Sequence, residues 1–145
     1  MLAILKAGAA YCCLDPSHPC ARHDSIIHTL NASLVLTSTL YESRFDRHYV
    51  LVPTVELVRQ QCHYRPTDVQ PSDTCIVAFT SGSTRNPKGI MHTYNSLVTS
   101  ILFNAPPQCL DREGVLTYQW SSFTFDISMT EIYVPLIYGG RISIT

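Results

Sequence analysis

Charge is scarce in this chain. Asp, Glu, Lys and Arg make up 14% of its 145 residues, and the formal net charge is -1. Without a basic field there is no electrostatic footprint for nucleic acid, and without an acidic block there is no signature of a disordered segment. No apolar run reaches the roughly 18 residues of a membrane span. Cys-x-x-Cys pairs, HExxH and zinc-type Cys/His spacings are absent, as are internal repeats and low-complexity tracts. The opening residues Met1 to Ala10 are mostly apolar, but they have no basic leader and Lys6 interrupts them. A packed helix ending at Gly8 is therefore expected, not a signal peptide. The six cysteines, at 12, 13, 20, 62, 75 and 109, then read as reduced, mostly buried thiols of a cytoplasmic protein. The histidines at 18, 23, 28, 48, 63 and 92 are scattered. His23 and His28 flank an apolar helical stripe and read as solvated helix positions, not ligands.

What the chain does have is core-forming material, 46% hydrophobic with 10% aromatic, in a length suited to one domain. Its periodicity alternates. Helical spacing is expected for Met1–Ala7, Cys20–Asn31, Val55–Gln61, Thr93 onward through Leu97, Val98, Ile101 and Leu102, and Asp126–Tyr138. In the last of these, Ile127, Ile132, Leu136 and Ile137 mark the apolar side, and Pro135 sits inside the pattern. Strands are expected at Ala10–Leu14, Ser33–Thr37, Tyr49–Val52, Thr74–Phe79, Ile90–His92, Val115–Trp120 and Arg141–Thr145; Leu40–Arg47 is ambiguous. Strands alternating with helices predict an α/β fold: a layered, mainly parallel sheet with flanking helices. The chain starts inside an apparent helix and stops inside an apparent strand, which leads one to expect a piece of a larger domain with an uncovered sheet edge and apolar face.

The segment Thr80-Ser81-Gly82-Ser83-Thr84-Arg85-Asn86-Pro87-Lys88-Gly89 packs four hydroxyl residues, two glycines and two cations into ten positions. Hydroxyls and bare backbone N–H groups donate to phosphate oxygens, and Lys88 or Arg85 neutralises their charge. The apolar run Cys75–Phe79 before it suits a nucleotide loop leaving a buried strand. The same composition also makes an ordinary polar turn. A P-loop NTPase is excluded by spacing: Gly89 follows Lys88 where that motif needs Ser or Thr.

Three stretches in order carry a resemblance. Leu5-Lys6-Ala7-Gly8-Ala9-Ala10-Tyr11 with Leu14-Asp15-Pro16, Pro19 and Arg22, then the Thr80–Gly89 loop, then Phe125-Asp126-Ile127-Ser128 with Glu131-Ile132 and Leu136–Gly140, resemble the corresponding motifs of amino-acid adenylation domains. These belong to the nonribosomal peptide synthetase branch of the adenylate-forming superfamily. The resemblance covers nearly the whole chain and implies part of the large N-terminal subdomain of an adenylate-forming enzyme, over residues 1–145 and truncated at both ends. It implies a ligase that uses Mg-ATP to convert an amino acid into an aminoacyl-adenylate. That acyl group then passes to phosphopantetheine on a peptidyl carrier protein domain, with neighbouring synthetase domains as further partners. By resemblance Thr80, Ser81, Gly82, Ser83, Thr84 and Lys88 grip the phosphates of ATP. Asp126 pairs with the substrate's α-ammonium group, and Ile127 and Thr130 line the same pocket. Asp126 could equally N-cap its helix. An acyl-CoA ligase of the same superfamily has no need of that carboxylate.

The chain also departs from the family. Arg85 stands where the phosphate loop has Gly, which predicts weaker phosphate binding and an inactive remnant as the second reading. Tyr94 replaces a frequent His, and Cys12-Cys13 replaces a Val-Pro pair. The family's tyrosine–glutamate region for adenine and Mg²⁺, its ribose-binding Asp and its catalytic Lys are not among these residues. The isolated chain is therefore expected to have little adenylation activity, with no catalytic residue of its own.

Overall fold

Helix and strand alternate much as the apolar spacing predicts. The computed structural model describes residues 1–45, 49–59, 67–80, 87–108, 110 and 112–144. Its elements are α1 (Leu2–Lys6), α2 (Cys20–Leu30), β1 (Val35–Leu36), a 3-10 helix (Thr39–Arg44), β2 (Val50–Leu51), α3 (Val55–Arg59), β3 (Thr74–Thr80), β4 (Lys88–Thr93), α4 (Tyr94–Asn104), β5 (Leu116–Gln119), α5 (Ile127–Ile137) and β6 (Arg141–Ile144). They fall into two compact units, Met1–Asp15 with Pro66–Thr145, and Pro16–Arg65.

In the smaller unit α2 follows Pro19 and stops at Asn31, whose left-handed φ of 47° suits a short amide side chain. β1 and β2 run parallel, Val35 opposite Val50. His28 is exposed as expected, but His23 is not: it is 2% exposed, its ring 6.0 Å from that of Phe45. The reason is helical spacing. His23 stands three positions before Ile26 and four before Ile27, which puts it on the apolar face.

The larger unit holds the main core. Cys75, Ile76 and Val77 of β3 are buried beside Tyr11, and Leu97 and Ile101 of α4 pack with Ile132, Tyr133 and Val134 of α5. Of the expected Ala10–Leu14 strand, only Tyr11 bridges Ile76, in parallel, through bonds to the Cys75 carbonyl and the Val77 N–H. β5 and β6 are also parallel, Leu116 opposite Arg141. β3 and β4 are antiparallel, because the connection at 81–87 is too short for a parallel crossover. The sheet is accordingly not one continuous layer: the strands pair two by two.

Thr93 caps α4 in a reciprocal box with Ser96. On α4 the buried pair is Leu97 and Ile101, and Val98 and Leu102 stay exposed. On α5 only Ile132 of the expected apolar markers is buried. Ser128, Tyr133, Val134 and Pro135 complete the packed face, and Ile127, Leu136 and Ile137 face outward. α5 turns into β6 through Gly139-Gly140, and a Cβ on Gly140 would stand 2.7 Å from the Val115 carbonyl oxygen. Only glycine allows that backbone approach. Leu116, Tyr118, Trp120 and Ile144 lie exposed, the uncovered apolar surface that the pattern predicts. Among the described residues no helix is long and apolar enough to cross a membrane.

Candidate functional site

The first part of the site stands on a hairpin stem. β3 leaves the core at Phe79, and the register sets Thr80 opposite Lys88 and Phe79 opposite Gly89. A Cβ on Gly89 would come within 3.1 Å of Phe79 Cζ and 3.3 Å of Val77 Cγ1, so glycine leaves room for the aromatic ring. Thr80 and Lys88 are both exposed at the mouth of the loop between them. Ser81, Gly82, Ser83 and Thr84, with Arg85, lie outside the described residues. The loop does not run straight into a helix: α4 begins only after β4, and Thr93 and Ser96 already cap its N-terminus. Tyr94, at the frequent His position, donates its hydroxyl to the Leu5 carbonyl at 3.1 Å and ties α4 to α1.

The second part is the turn from β5 into α5. The Phe125 N–H donates to the Ser122 carbonyl at 3.0 Å, and the buried Ser128 hydroxyl donates to the Phe125 carbonyl at 2.6 Å. Ser122 and Thr124 share a hydroxyl contact of 3.0 Å. The turn presents Asp126, which is exposed. Asp126 occupies the N-cap position of α5, but its φ and ψ of -62° and -30° are helical and its side chain makes no capping bond. An N-cap that accepts from the first turn is normally extended, so this backbone leaves the carboxylate unspent on the helix. Ile127 is 56% exposed and Thr130 half-buried on the first turns that follow.

A small cleft lies between β3 and the turn before α5, and none of Thr80, Lys88 or Asp126 lines it. Its lining includes Val77 and Ala78 of β3, Tyr11 and Cys13, and Phe123, Thr124 and Met129 around the Asp126 turn. Behind it the Tyr11 and Tyr133 hydroxyls meet at 2.7 Å in the core. Burial pushes both phenols above their ordinary value. It also raises the thiols of Cys13 and Cys75 and pushes Cys12 up to about 12, with Cys13 beside it adding to the effect. Burial thus favours the neutral form of each of these groups. Cys12, Cys13, Cys20 and Cys75 are free thiols, but only Cys75 is fully buried; Cys62 and Cys109 lie outside the described residues.

Sequence reasoning named Glu131 without a role. In the fold its carboxylate accepts from the Trp120 and Ser121 N–H groups at 3.2 and 3.0 Å and from the Ser121 hydroxyl at 2.8 Å. The signal available beforehand was a Glu on the second turn of a helix preceded by a Ser-rich loop. Among the described residues no group of three or more His, Cys, Asp or Glu side chains is arranged to hold a metal ion.

The Thr80–Lys88 stem and the Asp126 turn thus stand on one α/β unit. The whole of residues 1–145 matches the model of the AMP-binding enzyme family, and the chain belongs to that family. It is 38% identical over 146 residues to the nonribosomal peptide synthetase flvI of Aspergillus flavus, a match covering 97% of this chain and 13% of the relative. Its fold matches the N-terminal subdomain of Klebsiella oxytoca NpsA, solved in complex with 3-hydroxyanthranilyl-AMSN. The TM-score is 0.81 and the identity 20%, over 99% of this chain and 36% of that one. It also matches holo-PA1221, an NRPS protein containing adenylation and PCP domains bound to a vinylsulfonamide inhibitor. There the TM-score is 0.80 and the identity 23%, over 99% of this chain and 24% of that one. The chain thus spans a minor part of the length of each.

Proposed function

We propose that this chain is part of an amino-acid-activating adenylation domain of nonribosomal peptide synthesis. Thr80, Ser81, Gly82, Ser83, Thr84 and Lys88 hold the phosphates of ATP, and Asp126 receives the substrate's α-ammonium group with Ile127 and Thr130 beside it. The observation that carries the reading is Asp126 itself, an exposed carboxylate on a hydrogen-bonded turn, at a helix start where it makes no capping bond. A carboxylate so placed is a strong partner for an ammonium cation, whereas a fatty or aryl acid would gain nothing from it. The exposed Thr80–Lys88 pair fits a polyphosphate, since a hydroxyl and an ammonium donor flank the loop mouth. ATP supplies the adenylyl group when bound; these residues orient it and neutralise its charge. Similarity to a synthetase and to a protein joining adenylation and PCP domains supports phosphopantetheine on a carrier domain as acceptor and neighbouring synthetase domains as partners; the cytoplasm is the compartment that goes with this reading.

The test is binding of ATP and of a panel of free L-amino acids to the chain, with ATP–pyrophosphate exchange measured in parallel. Asp126→Asn should remove amino-acid binding and leave ATP binding intact. Amino-acid binding unchanged in that variant would remove Asp126 from the ammonium site, and ATP binding with no amino-acid binding in the parent chain would overturn the reading in favour of an acyl-CoA ligase. A chain that binds neither ligand is the inactive remnant that Arg85 in the phosphate loop favours.

A further inference from the structure

We infer that Glu131 is a positioning residue for Asp126, holding the β5–α5 turn in the one geometry that presents the Asp126 carboxylate to a substrate ammonium group. The inference rests on the reading of Asp126 just given. Glu131 lies on the second turn of α5, half-buried, and reaches back to the end of β5. Its Oε2 takes the backbone N–H groups of Trp120 and Ser121, and its Oε1 takes the Ser121 hydroxyl. Gln119, itself buried, donates its side-chain amide to the Ser121 carbonyl. Ser121 is thus held at its nitrogen, its hydroxyl and its carbonyl.

Beyond Ser121 the turn carries bonds of its own. Phe125 N–H returns to Ser122, and Ser128 closes on the Phe125 carbonyl through both its hydroxyl and its N–H. The whole turn is therefore fastened to the helix whose first residue follows Asp126. The Asp126 side chain makes no capping bond that would fix its own position, so the backbone of the turn sets where its carboxylate stands. A site of this kind needs its supporting shell as much as the ligating group.

The chemistry asks for a carboxylate. Ionised Glu is an acceptor at both oxygens and can take three donors at once. The Gln amide keeps one oxygen for the two N–H groups, but it lacks the charge and its NH₂ meets the Ser121 hydroxyl only if that hydroxyl turns to accept; Asp would fall short by a methylene. Hydrogen bonds to a charged acceptor are the stronger kind.

The experiment is amide hydrogen exchange on the chain, with the Asp126 carboxyl followed by carbon NMR. In Glu131→Gln the Trp120 and Ser121 amides should lose about tenfold or more of their protection. The Asp126 carboxyl signal should broaden, and the Val77 and Tyr11 amides in the core should keep theirs. Ser121→Ala, which removes only the hydroxyl contact, should fall between. Unchanged turn amides and an unchanged Asp126 signal would overturn the inference. So would a loss shared equally by turn and core, which marks a residue that only stabilises the fold. The same samples receive free L-amino acids and their N-acetyl counterparts as probes. Binding of the free forms that weakens about tenfold in Glu131→Gln, with ATP binding unmoved, supports positioning. Equal binding of the N-acetyl forms, or none to the wild type, sinks the Asp126 reading alone, because the exchange data still decide the clamp.

Discussion

Phe79 lies across the β3–β4 stem from Gly89, and its ring occupies the space a side chain at 89 would need. Gly89→Val should therefore destabilise the chain by about 1–3 kcal/mol, the usual cost of overpacking. Thermal denaturation of the variant beside the double change Gly89→Val with Phe79→Ala checks this: removal of the ring should recover part of the loss. An unaltered melting temperature in the single variant would mean that the stem accommodates the clash.

Tyr11 and Tyr133 depend on each other in the core. Tyr133→Phe leaves the Tyr11 hydroxyl without its 2.7 Å partner, at a cost of about 1–3 kcal/mol for a buried unsatisfied group. Replacing both tyrosines by Phe should cost less than the sum of the single changes. A denaturant-unfolding double-mutant cycle measures that coupling, and strict additivity would show that the pair contributes nothing as a pair.

Lys88 is the cation at the mouth of the loop. Lys88→Ala should weaken ATP binding by about tenfold, and Lys88→Arg by less, since charge is kept but shape is not. Arg85→Gly, which restores the family residue, should strengthen binding. Titration calorimetry with ATP reads all three, and tighter binding by the Lys88→Ala chain would remove Lys88 from the phosphate site.

Alkaline pH should loosen the larger unit. Burial, with Cys13 adjacent, pushes the Cys12 thiol from its ordinary 9.0 up to about 12, so the folded chain holds that proton more tightly than the unfolded chain does. The stabilisation is complete below the unfolded value and declines as pH rises from 9.0 toward about 12. Melting temperatures should fall over that window. Cys12→Ala should reduce the slope without abolishing it, because the thiols of Cys13 and Cys75 and the Tyr11 phenol are raised in the same direction.

Much of the architecture is legible in the chain because it is local. Thr93 before Leu97 announces a capped helix, Asn31 and Gly8 announce helix ends, and the α4 pattern stops before Pro106. Three motifs in order were enough to identify the family, which the match over residues 1–145 bears out. The expected mainly parallel pairing holds at β1–β2 and β5–β6, and the antiparallel β4 follows from the short 81–87 connection. The apolar side of α5 was misread because the list of Ile and Leu passed over Ser128, Tyr133 and Val134, which do the packing.

The order of residues alone determined the family and the succession of elements. Those properties follow from propensity, spacing and motif, all of which act over a few neighbours. Tertiary structure decided the burial of His23, the contact of hydroxyls 122 positions apart at Tyr11 and Tyr133, and the freedom of Asp126 from capping. It also turned Glu131 from one letter of a motif into the clamp on the turn that bears Asp126. Each of these depends on which donors and acceptors the packed chain brings within hydrogen-bonding distance, and linear spacing does not carry that information.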